Sequence, residues 1–218
     1  MPRPSQSAEK RQQLLPQIAR AFAELGYRRA TTSELARRCG VRENILYRLW
    51  PDKKAMFVAC IDFVWRLSRR IWQDLLERSK AGTDTADLIL GYESTHHGEF
   101  GFYRIVFTGL SETDDPGVRE ALRLMYTRFH RFVCDQIVVH RSKEPGRAGP
   151  DAELAAWAFI GLGTVASIGR EFALFTPEAR VLLIREVGRL LLEGRAAPEP
   201  PTRSCPRRSR GTGKGRIS

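Results

Sequence analysis

Arg42, Asn44 and Arg48 lie within one short span of the chain, and their side chains are of the types that read nucleic-acid bases. Arginine pairs with guanine O6/N7 and asparagine with adenine, and each good bidentate pair is worth about 1–3 kcal/mol of discrimination. Such readout needs a rigid surface, which the surrounding residues Thr31 to Lys54, TTSELARRCGVRENILYRLWPDKK, are built to supply. Thr31 and Glu34 form a T-x-x-E capping box that starts a first short helix carrying Leu35 and Ala36 inward. Gly40 takes the positive φ of a tight turn, and Val41 drops an apolar side chain between two helices. Leu46 and Trp50, four apart, share the buried face of the second helix and leave Arg42, Glu43, Asn44, Tyr47 and Arg48 largely outward. Pro51 ends that helix and Asp52 caps the next, beside Lys53 and Lys54. Glu43 reads as a solvated charge that tunes repulsion from phosphate.

Across Phe22-Ala23-Glu24-Leu25-Gly26-Tyr27, Glu34-Leu35-Ala36, Gly40-Val41, Leu46-Tyr47 and Pro51-Asp52-Lys53, the chain resembles the tetracycline-repressor (TetR-like) family of transcriptional regulators. The resemblance implies an all-helical homodimer with a three-helix head, a larger variable body and, often, a pocket for a small-molecule effector. On the family's pattern Thr32, Tyr47 and Lys53 hold the phosphate backbone, while Arg42, Asn44 and Arg48 are candidates for base edges or nearby phosphates. Two identical heads would place their second helices in successive major grooves about 34 Å apart, which predicts a pseudo-palindromic double-stranded DNA target. The chain departs from the family where Arg42-Glu43-Asn44-Ile45 replaces the usual Ser-Lys-Gly-Thr, so a small capping residue has become Arg42 and a hydroxyl has become Ile45. Pro16 falls inside the expected first helix and predicts a kink or a late start there.

Charge supports the same division. The net charge of +11 is uneven: residues 1–54 hold 12 Lys/Arg against 5 Asp/Glu, residues 196–218 hold 6 against 1, and the intervening residues hold 18 against 19. A basic head on a neutral body is the footprint of a phosphate-binding module. The chain divides into a head over 1–51 with a flexible arm at 1–9, a body over 52–195, and a disordered basic tail over 196–218. Cys39, Cys60, Cys134 and Cys205 are scattered without zinc-ligand spacing. With no apolar leader at the N-terminus and no run of about 18 apolar residues, a cytoplasmic protein without a membrane partner is expected.

Beyond Pro51 the apolar periodicity is helical throughout. Helices are predicted over 52–80, 84–97, 100–111, 116–140, 151–175 and from Pro177 onward. Residues 151–175 are apolar nearly all round, with Gly161, Val165 and Gly169 on one face, and the last helix carries Ile184, Val187 and Leu191. These six residues are read as a dimer interface in which two helix pairs form a four-helix bundle, the alternative being that the glycines only permit packing inside one monomer.

Within the body Trp72, Tyr92, Phe107, Tyr126, His130 and Trp157 could line an apolar cavity for a small apolar or cationic effector. Aromatics at helical spacing are as often plain core. His96 and His97 diverge by about 100° on a helix and so do not converge on one metal ion. No catalytic motif and no cofactor fingerprint stands out. The sequence thus predicts an all-α protein, a three-helix helix-turn-helix head on a helical bundle body whose last two helices dimerise, acting as a non-enzymatic repressor released from its operator by a small molecule. The alternative is a structural protein that coats DNA without sequence preference or effector.

Overall fold

The computed structural model describes residues 6–79, 83–143, 147–148, 150–193 and 195–196. The predicted tail, with Cys205, lies outside the described residues apart from Ala196.

The head is built from α1 (Gln6–Arg29), α2 (Thr32–Arg38) and α3 (Glu43–Leu49). Helix α1 is already formed at Gln6, so residues 6–9 of the expected arm are helical. Pro16 sits inside α1, and the backbone leaves helical geometry not there but at Gly26, with φ 73° and ψ 170°. Leu15, Ile18 and Phe22, all buried on one side of α1, keep the helix on course past the proline. Gly40 takes φ 63° in the turn between α2 and α3, as expected. Phe22, Tyr27 and Phe57 close the head core, with ring centroids 5.0 Å apart for both pairs that include Phe57. Phe22 and Phe57 are fully buried; truncating either to alanine removes about 3–5 kcal/mol.

Helix α4 (Lys53–Glu77) begins on the Asp52 carboxylate, which accepts the Ala55 amide at 2.7 Å, and runs from head to body. The body adds α5 (Thr85–His96), α6 (Tyr103–Leu110), α7 (Pro116–Ser142) and α8 (Ala152–Glu171). The final rod starts as α9 (Pro177–Leu182), passes through a π-helical turn at Leu183–Val187 and ends as α10 (Gly188–Glu193). That turn was not legible as such; it keeps Ile184 and Gly188 facing the core. Asp84 caps α5, Asp115 caps α7 with Pro116 following, and Thr176 caps α9. Arg147–Ala148 and Arg195–Ala196 add a two-residue antiparallel pairing.

Two cores result. The first is continuous from Leu14 in the head to Met125 in α7, joining head and body without an apolar break. The second gathers Leu90, Ile137, Ala156, Ala166, Ile184 and Leu192 at the far end. The ion pair Arg28–Glu112 at 3.2 Å also crosses from head to body, and Lys54–Asp115 at 3.0 Å ties the start of α4 to the start of α7.

Candidate nucleic-acid interface and body cavity

Helix α3 buries Leu46 and Leu49, with Trp50 just beyond its end; Leu49 joins the two residues expected on that face. Its other side presents Arg42, Glu43, Asn44, Tyr47 and Arg48 to solvent. The side chains of Arg42, Asn44 and Arg48 make no hydrogen bond or ion pair with other described residues. Tyr47, half exposed, donates its hydroxyl to Thr32 Oγ1 at 3.1 Å, so these two stand together at the start of α2. Lys53 is placed differently: its ammonium donates to the Tyr27 carbonyl at 3.1 Å and lies 4.4 Å from the Tyr27 ring centroid.

The capping box is only half formed. Thr31 Oγ1 accepts the Glu34 amide at 3.2 Å, but the Glu34 carboxylate turns away to Arg37 at 2.7 Å and Arg38 at 2.8 Å. Hydrogen bonds from Arg37 first and Arg38 second hold the Glu34 carboxyl down to about 2. Arg38 also bonds Glu24, so one arginine fastens α2 to α1. This network escaped the sequence reading, although Glu34, Arg37 and Arg38 have the spacing of neighbours on a helix.

In the body, a cavity of about 290 Å³ lies between the two cores. Trp72, Tyr92, Phe107 and Tyr126 line it; His130 and Trp157 do not. Those two stack on each other with centroids 4.5 Å apart, and His130 Nε2 bonds the Glu153 carbonyl at 2.9 Å. They face the other side of their helices because each lies off the apolar stripe that points inward.

Sequence reasoning missed the polar strut of the cavity. Trp72 Nε1 donates to Glu93 Oε1 at 2.8 Å, and Glu93 Oε2 meets His97 Nδ1 at 2.9 Å. His97 Nε2 then reaches the Gly163 carbonyl at 2.9 Å and Ser167 Oγ at 3.2 Å. The chain of bonds ties α4 to α5 to α8. Of the two adjacent histidines only His96 is surface: it is exposed and stacked on Tyr92 at 4.3 Å. The i,i+4 spacing of Glu93 and His97 was the available signal. Among the described residues no group of three His, Cys, Asp or Glu side chains could hold a metal.

The expected dimer residues divide. Gly161, Val165 and Val187 are exposed and Leu191 is half-buried. Ile184 belongs to the second core. Gly169 is covered within the chain, because a Cβ there would fall 2.1 Å from Phe175 Cδ2; its glycine lets α8 and the Phe175 ring meet. The exposed stripe of α8 is instead Leu154, Trp157, Gly161, Val165, Ile168 and Phe172, with Trp157 49% and Phe172 70% exposed. By length and composition α8 is apolar enough to cross a membrane, a property the sequence reading did not find, and 33% of its most apolar window is buried.

Residues 14–60 match the family model of bacterial regulatory proteins, tetR family. The nucleoid occlusion factor SlmA of Pasteurella multocida is 37% identical over 79 residues, which is 36% of this chain and 38% of that protein's length. Among solved structures, a TetR-family transcriptional regulator from Cytophaga hutchinsonii superposes with TM-score 0.72 at 15% identity, covering 91% of this chain and all of the other at 100%. A transcriptional-regulator structure from Saccharomonospora viridis in complex with choline gives 0.68 at 16% identity, covering 86% and 97%. The cover of these structures extends well past the head, through the body helices that enclose the cavity. The head therefore carries the DNA-binding helix-turn-helix of the tetR family of bacterial regulatory proteins, and the chain as a whole is TetR-like in fold.

Proposed function

We propose that this chain is a cytoplasmic, homodimeric transcriptional repressor that binds a pseudo-palindromic operator and leaves it when a small molecule enters the body. The observation that carries the reading is the outward face of α3, where Arg42, Asn44 and Arg48 stand unpaired beside the Thr32–Tyr47 pair. Unengaged donors in a basic head have their hydrogen bonds available for DNA. Arg42, Asn44 and Arg48 read base edges, while Thr32 and Tyr47 position the head on phosphates. Lys53, held to Tyr27, contributes charge beside the backbone.

Dimerisation follows from the α8 stripe. Six residues from Leu154 to Phe172 recur at spacings of three and four and are left in water in the single chain, joined by Leu182 and Leu190 from the last rod. A contiguous apolar face of this kind marks an interface. A second copy related by a two-fold axis covers it with the same face.

Release acts through elements shared by cavity and head. Helix α4 lines the cavity with Ile71 and Trp72 and starts at the head, while α6 lines it with Tyr103 and Val106 and packs on α1. A ligand shifts the spacing of the heads only by binding one arrangement more tightly than the other. The 37% match over 79 residues to a nucleoid occlusion factor favours one second reading, DNA binding without an effector. Selection of bound duplexes from a random pool at physiological salt separates the two. A two-fold symmetric motif is expected; enrichment of nothing would contradict the operator reading.

A further inference from the structure

The walls of the cavity define what it can hold. Its lining is overwhelmingly apolar and aromatic, with Trp72, Phe102, Phe107, Phe129, Phe132 and Phe159 contributing rings. The charged or titratable side chains in the described lining are Glu93, His96, His97, Glu99 and the two tyrosine-class phenols of α5 and α6, Tyr92 and Tyr103, besides Tyr126. No lysine or arginine is among them. His96 and Glu99 are exposed and belong to the rim.

Glu93 is the single carboxylate in the interior part of that lining, and both of its oxygens are engaged, one by Trp72 and the other by His97. The Gly163 carbonyl can only accept, so His97 Nε2 is the donor there. A cation entering the cavity would meet a carboxylate already bonded to Trp72 and His97, and would give up its own hydration. An anion would lose its hydration with no opposite charge in the wall. By contrast, Ser68, Tyr126 and Gln136 line the cavity with no hydrogen bond from their side chains to other described residues. These are neutral groups that can each serve one hydroxyl or carbonyl.

We propose that the cavity takes a neutral, mainly apolar molecule with aromatic or alicyclic bulk and one or two hydroxyl or carbonyl groups, and that Glu93 serves as a strut and not as a counter-ion. The proposal rests on the reading of the body as an effector site. It separates this chain from its choline-bound structural neighbour, whose ligand is a cation.

The test uses the full-length protein and three probes that share one skeleton: neutral N-phenylnaphthylamine, its sulfonate, and its trimethylammonium derivative. Binding is read by probe fluorescence, in the wild type and in two variants that fill the cavity from separate helices, Val106→Trp on α6 and Ile71→Phe on α4. Circular dichroism selects the variants that fold. The neutral probe is expected to bind saturably, at least about tenfold more tightly than either ion, and at least about tenfold more weakly in a folded filled variant. Tighter binding of the trimethylammonium probe would overturn the ligand class while leaving the effector site standing. Tighter binding of the sulfonate would do the same and direct attention to Arg170, whose guanidinium passes 3.3 Å from where a Gly98 side chain would begin. Saturable binding by none of the three, or binding indifferent to cavity filling, would remove the effector site itself.

Discussion

On the head, Arg42, Asn44 and Arg48 hold their polar ends out into solvent with no side-chain partner among the described residues, whereas in the body Glu93 and His97 spend theirs on Trp72, Gly163 and each other. The first arrangement waits for a polar partner that arrives from outside. The second holds helices apart around an apolar space. Polar residues alone therefore do not mark a binding site: their state of engagement says whether the partner is a ligand or the fold.

The contrast can be broken most severely at the surface proposed to join two copies. Val165→Glu puts a charge in the middle of the α8 stripe, where pairing would desolvate it. Sedimentation should show monomers at micromolar concentration, with operator affinity reduced by about a hundredfold or more, since one head alone makes half the contacts. An unchanged dimer would remove α8 from the interface. Next in size, Arg48→Ala on α3 should weaken operator binding by about ten- to a hundredfold and relax selectivity at one base step. Equal loss on operator and scrambled duplex would make Arg48 a phosphate contact. Tyr47→Ala should weaken all duplexes alike, by about tenfold, because its hydroxyl serves position and not sequence; loss confined to one operator would refute that role.

The last effect is on stability and tests the body. Asp84 caps α5 through the Ala86 and Asp87 amides and accepts from His140 at 2.9 Å and Lys143 at 2.8 Å. Burial raises its carboxyl, but the bonds from Lys143, His140 and Asp87 outweigh burial and leave it well below the ordinary carboxylate range. Asp84→Ala should remove about 2 kcal/mol and lower the melting temperature by about 4–8 °C, with DNA selectivity unchanged. A carboxyl depressed by folding contributes fully above its unfolded value near pH 4 and loses that contribution as pH falls further. The gap between wild type and variant should therefore close on acidification below about pH 4; a gap that persists would place the stabilisation elsewhere.

The head was legible because its signals are local. Gly40 makes the turn, Asp52 starts α4, and Leu46 and Trp50 tell which side of α3 faces in, all within a few residues of one another. The cavity was legible in part, since Trp72, Tyr92, Phe107 and Tyr126 lie on inward stripes. Its strut was not, because Glu93, Trp72 and Gly163 become neighbours only when α4, α5 and α8 pack. The dimer face failed at Gly169 and Ile184 for a related reason. Whether an apolar residue on a helix faces a partner chain or its own core depends on where Phe175 and the π turn fall, which periodicity does not reveal. At Pro16 the rule that proline bends helices gave way to burial of its neighbours, and the break appeared at Gly26.

Binding of the full-length protein to its selected duplex and to a scrambled duplex, measured side by side across a salt series, tests the central claim most directly. A DNA-reading regulator should favour the selected duplex by about a thousandfold or more at physiological salt, with two chains bound per site. Equal affinity for both duplexes, with a steep loss on adding salt, would contradict it and leave charge alone as the basis of binding.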